Sequence, residues 1–281
     1  MCPDPENKPN TLKLDRNELK KTQERITISV GVVHEVIREE GEQELQRSIP
    51  ALAWSGLAAG LSMGFSMLGE GMIYHGLPAS SWRKLVAGLG YSLGFIIVVL
   101  GRQQLFTENT LTPILPLMQD LTWRKFAQVM TLWATVLATN LLGALLFAWA
   151  IADTSLFKAG MQHTLTTLGH DALRPFAPMF LGAVFAGWLV ALMVWLLPAA
   201  ETARVAIIML LTYVISVAGF PHLIAGSVEA FYLVWRGGLS WPQYFTQFMI
   251  PTFLGNVVGG VVLVAALNHA QATAGAPPTQ K

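Results

Sequence analysis

A single histidine interrupts a long apolar stretch of this chain. His222 follows Gly219-Phe220-Pro221, a run through which a regular helix does not continue. An ionisable side chain at such depth is costly and points to function. Imidazole can donate or accept a hydrogen bond and can exchange a proton near physiological pH; the bland reading is a buried ring bonded to a loop carbonyl. A second apolar stretch is interrupted by Gly101-Arg102-Gln103-Gln104-Leu105-Phe106-Thr107-Glu108-Asn109-Thr110, with Pro113 and Pro116 after it. The Thr107 hydroxyl is placed to meet His222 at the centre, to contact a solute, or to bond its own loop backbone. Arg102 and Glu108 flank it and are expected to pair with each other. Glu229 is expected to reach the interface. No second His, Cys or carboxylate lies at ligand spacing and Cys2 is alone, so neither a metal nor another cofactor is expected. Without a nucleotide loop, nucleophile elbow or HExxH motif, no enzyme is expected.

The elements that must position these residues follow from composition. Of 281 residues, 53% are hydrophobic and 12% charged, about half the charge of a soluble domain. Residues 1–47 hold 18 of the 35 charges. The rest is too apolar for a water-soluble globule and offers no basic surface to nucleic acid. Six stretches are long enough to cross a bilayer: 49–73, 85–118, 126–152, 176–197, 205–235 and 244–267. The longest connection, 153–175, has room for a surface helix carrying Leu156, Phe157, Met161, Leu165 and Leu168. The fold class expected is an all-α integral membrane protein. In two halves of three crossings, the broken members are the second of each half. Matching broken segments point to an inverted repeat with a midplane transport site. The half-helices that restart there direct partial positive charge inward, which suits a small anion. Gly56, Gly60 and Gly64, Gly90 and Gly94, and Gly255 and Gly259 repeat every four residues, as closely packed membrane helices require.

Four regions are expected: a polar, disordered arm at 1–25, an amphipathic helix at 26–48, a channel domain at 49–268 and a polar tail at 269–281. Ile26, Val30, Val33, Ile37 and Leu45 give the helix at 26–48 its apolar side. Eight Lys and Arg in the first 47 residues, against five in the loops of the opposite face, favour cytoplasmic termini in a plasma (inner) membrane.

Four motifs in consistent order resemble one family. Leu105-Phe106-Thr107 with Asn109, Gly219-Phe220-Pro221-His222, Trp188-Leu189-Val190 with Trp195, and Ile250-Pro251-Thr252-Phe253-Leu254-Gly255-Asn256-Val257-Val258-Gly259-Gly260 are similar to segments of the formate/nitrite transporters, and Asn140-Leu141-Leu142-Gly143 fits their third helix. The resemblance runs from about residue 30 to residue 268. It implies an aquaporin-like six-helix protomer in a homopentamer, each protomer passing small monovalent acids or anions such as formate, nitrite, hydrosulfide, acetate or lactate. It also implies that His222 is the central pore histidine and Thr107 its hydroxyl partner, and that Leu105 belongs to an apolar constriction. Tyr91, Phe95, Phe106 and Ile215 fall at or near pore-lining positions. The chain departs from the pattern where Gly187 and Gly226 replace asparagines, at Arg102-Gln103-Gln104, and at Glu108 in place of glycine. Asp171 falls near the family's vestibule lysine, with Arg174 or His170 as substitutes, and Arg102, Glu108 and Arg174 are the candidate vestibule charges. Two alternatives stay open, a pore for a neutral solute and a non-conducting scaffold that presents the N-terminal arm.

Overall fold

In a computed structural model, residues 28–153 and 156–274 are described; the arm expected at 1–25 and most of the tail at 269–281 lie outside them. Every regular element among the described residues is helical. Five helices are long and apolar enough to cross a membrane: Ile49–Gly76 (α2), Arg83–Leu100 (α3), Trp123–Asp153 (α5), Phe176–Ala199 (α7 with its terminal turn) and Trp241–Ala272 (α10). A sixth crossing results if Arg204–Ala218 (α8) and Leu223–Trp235 (α9), bent by 47° at their break, count as one. The remaining helices are Val30–Leu45 (α1), Ile114–Gln119 (α4) and Ala159–Ala172 (α6).

The second apolar stretch does not run through. α3 stops at Leu100, and Arg102 adopts a left-handed backbone with φ 50°. The chain then crosses the protein interior as a loop with one tight turn, Glu108–Thr110, before Pro113 leads into α4. The fifth stretch breaks for a different local reason. Gly219 takes φ 63°, which glycine tolerates and other residues rarely do, and its N–H closes α8 on Ile215 and Ser216. Pro221, which has no N–H to give, follows, and His222 caps α9.

Close packing holds these breaks in the middle of the bundle. α2 lies against both α3 and α5, and α7 against α10. α10 carries π-helical turns at Tyr244–Met249 and Val258–Ala266, the first just ahead of Pro251. α6 sits where the surface helix was expected and buries Met161, Leu165 and Leu168; Leu156 and Phe157 precede its first turn. α1 buries Val33, Ile37 and Leu45 and covers the first loop. Val30 is exposed, and Ile26 falls outside the described residues.

Candidate functional site

Each break is held by one asparagine from a neighbouring helix, and the two do the same work. Asn140 of α5 accepts from the Phe106 N–H (2.9 Å) and donates to the carbonyls of Gln104 (2.9 Å) and Gly56 (2.7 Å). Asn256 of α10 accepts from the Leu223 N–H (2.9 Å) and donates to the carbonyls of Pro221 (3.1 Å) and Ala183 (2.8 Å). A single amide thus pairs backbone groups that an interrupted helix leaves free, in a place where unpaired groups are not tolerated. The helix pairs behind the clamps match as well. A Cβ on Gly60 would stand 2.1 Å from the Asn140 carbonyl oxygen, and one on Gly187 would stand 2.3 Å from that of Asn256. Gly187, read as a lost pore amide, is therefore a contact point between α7 and α10 with no room for an asparagine. Gly226 is filled in another way, since a Cβ there would lie 2.6 Å from the Phe248 ring.

The loops held in this way bring Thr107 and His222 together. Thr107 Oγ1 lies 2.7 Å from His222 Nε2, with the two residues 0% and 1% exposed. Phe95 stands edge-on to the ring at 4.9 Å between centroids. His222 Nδ1 accepts from the Ala225 N–H at 3.2 Å as it caps α9. That bond fixes the tautomer: Nδ1 carries no proton, so Nε2–H donates to Thr107. The Thr107 hydroxyl proton is then free to point at a solute.

Two cavities approach this pair from opposite ends. One of about 70 Å³ is lined by His222, Tyr91, Ile215, Gly226 and Phe248 together with Glu70, Lys84, Asp171 and Glu229. The other, of about 350 Å³, lies under α1 and is lined by Glu40, Glu44, Arg47, Arg102, Glu108 and Arg204 among others. Tyr91, Ile215 and Phe95 thus gather on the first side. Leu105 is fully buried in the loop, and Phe106 is turned between Trp133 and Phe253, 5.6 and 5.5 Å between centroids, rather than into either cavity.

The charged residues behave differently from expectation. Arg102 does not pair with Glu108. Its left-handed backbone turns the side chain outward, where it meets Glu40 of α1 at 3.1 Å. Glu108 Oε1 is buried with no partner in the protein. Glu229 does not simply reach the interface, because it lines the cavity that holds His222. Arg174 lies over Gly219, its guanidinium where a Cβ would be. Lys84 stands in the vestibule wall where no lysine was expected, and Glu70, deep in α2, joins it. A carboxylate inside an apolar span was the available signal for Glu70.

A family model described as formate/nitrite transporter matches residues 31–270. The chain belongs to that family. It is a membrane transporter or channel of the formate/nitrite class. Among relatives in the family, it is 40% identical over 250 residues to the inner membrane protein YfdC of Escherichia coli (strain K12), covering 89% of this chain and 81% of that protein. Identity to the formate channel BtFdhC of Bacillus thuringiensis is 25% over 244 residues, covering 83% of this chain and 91% of that one. The fold matches a pentameric formate channel with formate bound at TM-score 0.67 and 21% identity, over 80% of this chain and 98% of the other. It also matches an FNT family ion channel at TM-score 0.71 and 17% identity, over 85% and 98%.

Proposed function

We propose that this chain forms a pore for small monovalent acids or anions, with Thr107 and His222 as its central hydrogen-bonding pair. The observation that carries the reading is the buried 2.7 Å contact between them, made where the two interrupted segments meet. An anion in an apolar constriction needs a donor, because an uncompensated polar group costs several kcal/mol there. His222 Nε2–H orients Thr107, and the Thr107 hydroxyl donates to the solute. Protonating Nδ1 would set an N–H against the Ala225 N–H, so the ring serves as a donor rather than as a proton source. Tyr91, Phe95 and Ile215 line the route on one side of the pair, and Leu105 constricts it on the other, with Phe106 packed behind the loop between Trp133 and Phe253.

Six crossings in an inverted repeat, with the second and fifth broken, fit the twin asparagine clamps and the matched glycine contacts behind them. The channel domain spans 49–268 and α1 forms a separate cytoplasmic element. Five copies, each with its own pore and all embedded in lipid, follow the assembly stated for the pentameric formate channel. The meeting of α1 with the end of α10 supports both termini on one side, and the arm's Lys and Arg make that side cytoplasmic.

The test is formate flux in proteoliposomes. His222→Ala and Thr107→Val are expected to lose about 10- to 100-fold, the worth of one hydrogen bond to a charged group, whereas Thr107→Ser keeps the hydroxyl and the flux. Equal rates for all four proteins would remove the proposed role.

A further inference from the structure

With Nδ1 of His222 committed to Ala225, any response of the pore to protons must come from other groups. The 70 Å³ cavity beside the ring contains them. Glu70 of α2, only 7% exposed, accepts from Ser216 Oγ of α8 at 3.1 Å. Glu229 lies seven residues beyond His222, two turns along α9 and on the same face. At the mouth, Lys84 of α3 and Asp171 of α6 are both exposed and of opposite charge. The other ionisable group in the wall is Tyr91 of α3, and α10 contributes the apolar Phe248. Arg174 sits beside Gly219 at the carbonyl end of α8, whose partial negative charge it offsets. Among the described residues, neither Glu70 nor Glu229 forms an ion pair. A solute moving from this mouth to His222 therefore passes two carboxyl groups in a wall where three acidic side chains face a single cation, Lys84.

Resting on the small-anion reading above, we propose that Glu70 and Glu229 determine the selectivity of this mouth: an anion passes toward His222 only when two protons from the adjoining water, one on each carboxylate, neutralise the pair. Each proton stays on its carboxyl oxygen while the anion passes, and no bond of the solute is made or broken. Two like charges in a poorly screened cavity repel a third strongly, so the ionised vestibule excludes anions and the neutral one admits them. The other cavity places Glu40, Glu44 and Glu108 against Arg47, Arg102 and Arg204 and carries no such excess.

Formate flux through the full-length protein in proteoliposomes, at equal pH inside and out and corrected for protein-free vesicles, tests this between about pH 5 and about pH 8. Wild type is expected to slow as pH rises. Glu229→Gln flattens that dependence and exceeds wild type by about tenfold at the alkaline end. Glu70→Gln, which can keep the Ser216 bond, shifts the profile the same way, and Glu229→Asp restores the wild-type profile. A Glu229→Gln profile parallel to wild type, or one depressed at every pH, overturns the proposal while leaving the anion pore intact. No formate flux in wild type or any variant overturns the anion-pore reading itself.

Discussion

At the scale of single residues, the site is organised by side chains that bind backbone. Asn140 and Asn256 each make three hydrogen bonds, all to main-chain groups of the breaks or of an adjacent helix. Removing either amide strands several buried groups, each worth about 1–3 kcal/mol. Asn256→Ala is therefore expected to destabilise the detergent-solubilised protein by several degrees in a thermal melt, and Asn140→Ala to do the same; an unchanged melting temperature in both would count against the clamps. The meeting of His222 and Thr107 was among the readings the sequence allowed, because each is a polar residue at an interruption of an apolar run. Glu70 carried the same signal, but a span count weighs the stretch and not the single carboxylate within it. The partner of Arg102 was not legible at all. Glu40 lies 62 residues away in sequence, and only the left-handed backbone at Arg102, invisible in composition, turns the side chain toward it.

At the scale of elements, helix contacts set limits on substitution. Placing the family's asparagine at Gly187 would drive a side chain into α10, whose carbonyl oxygen stands 2.3 Å from the Cβ position. Gly187→Asn is expected to cost at least about 1–3 kcal/mol, the usual range for overpacking, and to lower expression rather than to restore a pore amide; normal yield and stability would overturn that account. α1 is pinned by Glu44, which accepts from Thr112 Oγ1 (2.5 Å) and Gln104 Nε2 (3.1 Å), and by His34 Nε2, 2.9 Å from His269 Nδ1. Burial, then the neighbouring His269, hold the His34 pKa below its usual value, with Arg38 adding slightly and Glu35 opposing. A histidine shifted down favours folding in its neutral form, so docking of α1 is fully supported above roughly pH 6.5 and weakens as pH falls from there through the lowered value of the docked ring. A spin label at exposed Glu39 is expected to gain mobility on acidification, and His34→Phe to remove the response; a label with pH-independent mobility in the wild type would refute this. The apolar side of α1 could be read from Val33, Ile37 and Leu45. What that side covers could not, because helical periodicity says where a face is and not what it meets.

For the molecule as a whole, six apolar stretches and two interruptions could be read from the sequence, since hydrocarbon demands length and forbids unpaired backbone; among the described residues five helices are long enough to cross a membrane, with a sixth crossing if the bent pair counts as one. The bend of 47° at the second break follows from Gly219 and Pro221. Less visible was the use of surface. Trp54, Leu181 and Leu210 are among many large apolar side chains that face outward from the protomer, and sequence does not divide such residues between lipid and neighbouring copies. Native mass spectrometry from mild detergent is expected to give five copies; a monomer that still conducts formate would separate assembly from permeation. The clamps have a wider implication. Because both asparagines grip main-chain atoms and ignore the side chains of the segments they hold, the lining of the passage can be exchanged residue by residue without loosening the frame. Such a scaffold can acquire a new preference for its cargo by changing only what the solute touches.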